Sequence, residues 1–161
     1  MNVRPTTRRV ATVAVAAGAA LALTTGTALA APAAGNYYGN QCTGNFYVDN
    51  AGAEGCVWVD HFEPGSRILF TLGAFDYAKD GKSARNVTYV DQYFPGYGWY
   101  RSGTFTVTES SGYGYTRIGS QQVVNKQSGA TVVRVTINAC TYDAPSATYY
   151  SCGSKSSSKA W

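Results

Sequence analysis

Histidine is scarce in this chain: of 161 residues only one, His61, carries an imidazole, and nine residues are acidic. A catalytic or zinc site that needs histidine is therefore limited to His61, with Asp60 and Glu63 as its nearest acidic neighbours in the sequence. The chain has no Cys-x2-Cys pair, which excludes the common structural zinc motifs, and no serine in a nucleophile-elbow pattern. These absences favour a protein that is not an enzyme and has no metal or other cofactor. An enzyme that uses His61 is the alternative.

Long apolar runs are also missing. A helix that spans a bilayer needs about 20 apolar residues, and the longest apolar run, from Val10 to Leu23, has about fourteen. Three arginines precede this run, and Ala28-Leu29-Ala30 follows it with small residues at the positions that a signal peptidase reads. This layout is typical of a secretory signal peptide, here with a bacterial, alanine-rich character. The sequence predicts cleavage after Ala30, a secreted extracellular protein and no membrane span.

The chain has little excess charge once that segment is set aside. The formal net charge is +4, from 13 basic and nine acidic residues, but three of the arginines lie in the predicted signal peptide. The remaining ten basic and nine acidic residues leave a net charge near +1. No cluster of lysine and arginine stands out, so a nucleic-acid partner is not expected.

Helix-forming residues are scarce, whereas tyrosine, glycine and β-branched residues are abundant. After Ala30 the chain has only two leucines, Leu69 and Leu72, beside 13 tyrosines in the whole sequence. Alternating apolar and polar residues, with turn residues every eight to twelve positions, predict strands. The expected fold is all-β: a single antiparallel β-sandwich, or a closed barrel, of about 7–8 strands. We expect a signal peptide over 1–30, a flexible leader over 31–41, one β domain over 42–152 and a disordered Ser/Lys tail over 153–161.

Four cysteines follow the predicted cleavage site, and an even number in a secreted chain predicts two disulfides. Folding the chain back about residue 146 sets Cys140 opposite Cys152 on neighbouring strands, where the Cα atoms are close enough for a bond. Cys42 then pairs with Cys56. A turn at 50–53 would place Cys56 opposite Tyr47, so this second bond is expected to fix the N-terminal segment to the next strand.

The strongest candidate for a binding surface is an aromatic stretch around the Pro95-Gly96 turn. Its candidate binding residues are Tyr93, Tyr97, Trp99 and Tyr100, since aromatic rings beside a turn can stack on sugars or anchor a protein partner. The alternative is that these rings fill the core.

Strand alternation makes this candidate more specific. It places Trp99 on the inward face with Phe105 and Val107, and Tyr100 on the outward face. The same alternation turns Arg101 inward, which predicts a bulge near Gly103 or a strand end beyond the core.

Three functions follow as hypotheses. The first is a secreted, monomeric, non-enzymatic binding protein that recognises an extracellular polysaccharide, a cell-envelope surface or a protein partner. The second is an inhibitor of an extracellular hydrolase, with loops 49–55 and 141–150 as candidate contact loops, because a disulfide-braced loop loses little entropy on binding. The third is an antibacterial, toxin-like protein, supported by the cationic tail that ends at Trp161.

Overall fold

The structure is a computed structural model, and it describes residues 35–38, 46–50 and 52–161. The predicted signal peptide and Cys42 lie outside the described residues. The described part contains ten strands and no helix. The strands are β1 (Gly35–Tyr38), β2 (Phe46–Asn50), β3 (Ala53–Glu63), β4 (Arg67–Asp76), β5 (Ser83–Phe94), β6 (Gly98–Glu109), β7 (Tyr115–Ile118), β8 (Gln122–Asn125), β9 (Val132–Asp143) and β10 (Thr148–Ala160).

The strands form two antiparallel sheets. The six-stranded sheet has the order β1-β7-β4-β3-β2, and β8 pairs with the first half of β4. The four-stranded sheet has the order β10-β9-β5-β6. The all-β prediction is therefore confirmed, and hairpins join β2 to β3, β3 to β4, β5 to β6 and β9 to β10. No helix of the described residues is long and apolar enough to cross a membrane.

The main core lies between the two sheets, as in a β-sandwich. Alternate residues of both sheets meet in one apolar cluster, which includes Val57, Phe70 and Leu72 from the six-stranded sheet and Val90 and Ile137 from the four-stranded sheet. Each of these five side chains is fully or almost fully buried. The clean alternation of period two in β9 explains why its inward residues could be recognised from sequence.

A buried polar residue also connects the sheets. Asn86 on β5 is inaccessible to solvent, and its amide nitrogen donates to the backbone carbonyls of Cys56 and Gly73, at 2.9 Å each. Its amide oxygen accepts a hydrogen bond from Thr88 at 2.9 Å. Because a buried amide without partners is costly, these bonds favour one position of β5 against β3 and β4.

The strand count exceeds the predicted 7–8 for two reasons. Gly35–Tyr38, expected as part of a flexible leader, forms β1 and pairs with β7. The sequence after Tyr113 predicts one strand up to Val124, but the structure has two, β7 and β8, separated at Gly119, whose amide donates to the carbonyl of Leu72 at 2.9 Å. A Cβ at Gly119 would lie 2.6 Å from Val107 of β6, so the chain passes too close to the other sheet for a side chain here.

The predicted disulfide between Cys140 and Cys152 is confirmed, with a Cα–Cα distance of 4.1 Å. The hairpin pairs Asp143 with Thr148, and a bulge beside Tyr149 shifts the register by one residue, which places the two cysteines opposite each other. Tyr47 pairs with Cys56, as the predicted turn requires.

The C-terminal residues differ from the predicted disordered tail, because β10 continues to Ala160 in register with Val132 of β9. Backbone pairing to β9 needs no apolar side chains, which is why the Ser/Lys composition gave no indication of a strand. The last residue, Trp161, stacks on Phe62 with ring centroids 5.7 Å apart, and its amide donates to the carbonyl of Thr131 at 2.9 Å.

Candidate functional site

A bulge in β6 decides where the aromatic stretch points. Val90 of β5 pairs with Gly103, but the next residue, Asp91, pairs with Arg101, so Ser102 is the extra residue. A bulge near Gly103 was predicted, and this part of the prediction is confirmed. The extra residue exchanges the two faces of the strand before it.

The predicted orientations of Trp99 and Tyr100 are therefore wrong. Trp99 pairs with Tyr93 and lies with Arg101 on the outer face of the four-stranded sheet, which is the face turned away from the six-stranded sheet. Tyr100 pairs with Gln92 on the opposite face, beyond the end of the core. It meets Phe94 edge to face, with centroids 5.6 Å apart.

The aromatic residues at this turn are largely accessible. Tyr97 is 80 % exposed, Tyr100 52 % and Trp99 40 %, whereas Tyr93 is half-buried with its ring centroid 5.3 Å from that of Trp99. The alternative that these rings fill the core does not hold for Tyr97, Trp99 and Tyr100. Beside the turn, Tyr97 and Tyr100 line an open depression of about 380 Å³ with Phe94, Arg101 and Gln127.

Two arginines surround this aromatic group and share one carboxylate. Asp91 is only 5 % exposed. One of its oxygens accepts a hydrogen bond from Nε of Arg101, and the other accepts one from Nη2 of Arg134, at 3.1 Å each. Since a charge-assisted hydrogen bond is about twice as strong as a neutral one, Asp91 orients both guanidinium groups.

Each of these arginines also lies over an aromatic ring. The guanidinium carbon of Arg101 is 3.7 Å from the ring centroid of Tyr89, and that of Arg134 is 4.2 Å from Trp99. Such cation–π contacts contribute about 0.5–1 kcal/mol at exposed sites. The result is a row of alternating rings and cations held by Asp91 on the outer face.

A second arginine–aromatic cluster lies at the other end of the same face. The guanidinium carbon of Arg85 is 3.3 Å from the ring centroid of Tyr142 and 5.6 Å from that of Tyr149. Nε of Arg85 donates to the hydroxyl of Thr108 at 2.8 Å, and Nη1 donates to the hydroxyl of Tyr149 at 3.2 Å. No carboxylate of the described residues is bonded to Arg85.

A shallow pocket of about 200 Å³ lies between the two clusters. Tyr89 of the first cluster and Tyr149 of the second both line it, together with Asn138 and the Cys140–Cys152 disulfide. Hydroxyl and amide groups therefore join the two clusters into one continuous surface that can accept and donate hydrogen bonds.

Most of this surface was not predicted from the sequence. Of its residues, the sequence patterns indicated Tyr93, Trp99 and their neighbours at the turn, but not Asp91, Arg134 or Arg85. These three lie on two different strands, and only the register of β5 with β9 places Asp91 opposite Arg134. The alternation of side chains in β9 turns Arg134 outward, but it does not identify Asp91 as its partner.

The acidic neighbours of His61 in the candidate acid–base cluster bond to other side chains. Glu63 forms an exposed ion pair with Arg67 at 3.0 Å, and Asp60 accepts hydrogen bonds from Thr71 and Gln121 at 2.9 Å and 2.7 Å. A bulge at Asp60 also interrupts the strand next to His61, which is exposed. Within residues 35–38, 46–50 and 52–161, no three His, Cys, Asp or Glu side chains converge as a metal site.

The two loops considered for an inhibitor differ in accessibility. In the 49–55 loop Gly52 and Ala53 are buried, and the amide of Tyr77 donates to the carbonyl of Gly52 at 3.0 Å. The 141–150 hairpin presents Tyr149 and Tyr150, which are 48 % and 55 % exposed. Only the second loop offers aromatic side chains to a partner.

Comparison of the chain with protein-family models, with curated proteins and with solved structures found no match.

Proposed function

We propose that this protein is a secreted, non-enzymatic binding protein, and that the outer face of its four-stranded sheet binds a polysaccharide or a cell-envelope surface. The observation that carries the proposal is the exposed ring of Trp99, which contacts Arg134 and Tyr93 and follows the exposed turn residue Tyr97 by two positions in the chain. Aromatic rings with an exposed face can stack on the apolar faces of sugars, and the neighbouring guanidinium and hydroxyl groups can bind sugar oxygens.

The charges on this face explain why it remains accessible. Taking an arginine or a carboxylate out of water costs several kcal/mol per ion unless new partners replace the water. An apolar protein segment is therefore a poor cover for this face, whereas a hydrated, hydroxyl-rich polymer supplies the partners. We also propose a monomer released by cleavage after Ala30, with a second disulfide between Cys42 and Cys56.

A binding assay on insoluble matrices tests this proposal. The secreted, oxidised protein is mixed with peptidoglycan and with insoluble polysaccharides, and the retained fraction is measured after washing. We expect retention on at least one matrix, and a loss of about tenfold or more in the Tyr97→Ala/Trp99→Ala double variant, because the stacking rings are removed.

Tyr113→Ala is the matched control, since Tyr113 is an exposed tyrosine (47 %) outside this face. The control should bind like the parent protein. No retention on any matrix would refute the proposal and favour an inhibitor that uses the 141–150 hairpin. Inhibition assays with a panel of proteases and amylases would then be the next measurement.

A further inference from the structure

The charged residues on the outer face of the four-stranded sheet are mostly of one sign. Strand register places three arginines on this face, Arg85, Arg101 and Arg134, and a single carboxylate, Asp91. The outward residues of β10 in register with β9 carry no charge. The face therefore has a net charge of +2, although the chain after Ala30 is nearly neutral.

The arginines keep hydrogen-bond donors that the described residues do not use. Arg101 contacts Asp91 through Nε, which leaves both of its terminal nitrogens as a pair. Arg134 contacts Asp91 through Nη2 and its Nε is buried, which leaves Nη1. Stacking on Tyr89 and Trp99 fixes the planes of the two guanidinium groups. A planar, oriented guanidinium is suited to bidentate contact with a carboxylate or a phosphate.

The two clusters are well separated along the sheet. Arg85 and Asp91 are six residues apart on β5, which corresponds to roughly 20 Å at about 3.4 Å per residue. A single small anion cannot contact both ends. An extended polymer with repeated charges can, and it gains affinity because the second contact is made at a high effective concentration.

We infer that the outer face of the four-stranded sheet binds an extended anionic glycan polymer, whose carboxylate or phosphate groups contact the Arg101–Arg134 pair at one end and Arg85 at the other. This inference rests on the proposed function and names the substrate class. The sugar rings stack on Trp99 and on the aromatic residues of the turn, and the anionic groups distinguish this polymer from neutral ones.

Co-sedimentation with soluble and cross-linked polymers tests the inference. The probes are polygalacturonic acid for carboxylates, a phosphomannan for phosphates, neutral dextran, and single-stranded DNA as a non-glycan polyanion. We expect binding to at least one of the first two polymers at 50 mM salt, at least tenfold weaker binding at 500 mM salt, and at least tenfold weaker binding to dextran and DNA. Comparison of the binding of the two anionic polymers shows whether the protein recognises carboxylate or phosphate groups.

Variants in which a single arginine is replaced by glutamine test which positive charges contact the polymer. Arg101→Gln, Arg134→Gln and Arg85→Gln should each weaken binding to the anionic polymer by about three- to tenfold. Arg67→Gln removes the same charge from an exposed ion pair on the other sheet and should leave binding unchanged. Circular dichroism and thermal unfolding show that each variant is folded before its affinity is measured.

The outcomes separate this inference from the proposed function. Equal binding to dextran and to the anionic polymers, insensitive to salt, would overturn the anionic assignment and leave the proposed function intact. An equal effect of Arg67→Gln and Arg101→Gln would also overturn it, because net charge rather than this face would then control binding. Tighter binding to DNA would overturn the glycan assignment. No binding to any glycan or to peptidoglycan would remove the proposed function itself.

Discussion

The two sheets present aromatic residues on their outer faces in opposite ways. On the six-stranded sheet, Trp58 faces away from the main core but is only 5 % exposed, in a second apolar cluster with Cys56, Phe75 and Ile118. On the four-stranded sheet, Trp99 also faces away from the core but is 40 % exposed. The ring of Trp58 is therefore buried, whereas the ring of Trp99 is accessible to a partner.

The neighbours of the two tryptophans account for this difference. A Cβ on Gly73 would lie 2.9 Å from the ring of Trp58 and 2.7 Å from the sulfur of Cys56, so the residues around this ring are closely packed. The ring of Trp99 contacts the guanidinium of Arg134, which is bound to Asp91. Because ions resist burial, Trp99 stays near water, whereas Trp58 does not. A tryptophan on an outer face thus indicates binding only when its neighbours keep that face solvated.

The largest expected effect comes from removing each tryptophan in turn. Trp58→Ala should lower the free energy of unfolding by about 3–5 kcal/mol, because it deletes a buried ring from a closed cluster. Trp99→Ala should cost less than about 1 kcal/mol, because its ring is partly solvated, yet it should weaken retention on the polymer by about three- to tenfold. Urea denaturation measures both stabilities. Equal losses of stability in the two variants would contradict the comparison.

A smaller effect on the free energy of unfolding is expected from Gly73→Ala, which tests how closely the residues around Trp58 are packed. The added methyl group would press on the Trp58 ring and on Cys56, and overpacking of this kind costs about 1–3 kcal/mol. Ser156→Ala, an exposed change on β10, is the control and should change stability by less than about 0.5 kcal/mol. A neutral or stabilising Gly73→Ala would show that the Trp58 cluster can rearrange. The measurement is the midpoint of urea unfolding.

The smallest expected effect concerns Asp76, which lies at the end of β4 and belongs to neither outer face. Burial, with Asp80 and Glu109 nearby, raises the pKa of Asp76 from 3.8 to about 6, despite a hydrogen bond from the Ala78 amide. The folded state therefore holds this proton more tightly than the unfolded state, and the stability that protonated Asp76 contributes is lost as pH rises from about 4 to about 6.

The substitution Asp76→Asn should remove that pH dependence. We expect it to stabilise the protein by about 1–2 kcal/mol at pH 8 and to have little effect at pH 4. Retention on the polymer should be the same in the variant and in the parent protein, since Asp76 is not on the binding face. Unfolding curves recorded from pH 4 to pH 8 test this expectation. If the free energy of unfolding changed with pH in the same way in both proteins, Asp76 would not be the cause of the pH dependence.

Local sequence patterns predicted the features that depend on neighbouring residues. Alternation of period two located β9 and its inward residues, turn residues located the β9–β10 hairpin, and their combination paired Cys140 with Cys152. The inward parity of Arg101 indicated the bulge. The same reasoning did not assign the extra residue to Ser102, and so it reversed the faces of Trp99 and Tyr100. One inserted residue inverts every side chain beyond it, because side chains alternate with a period of two.

By itself, the sequence determined the all-β class, most strand positions and one disulfide, because these depend on contacts between residues close in the chain. Only the tertiary structure decided that the Ser/Lys segment extends β10, that Trp58 is buried, and that Asp91 holds Arg101 and Arg134 against the rings of Tyr89 and Trp99. These features depend on strand register and on the packing of distant segments. Their energies come from partners that composition and periodicity do not name.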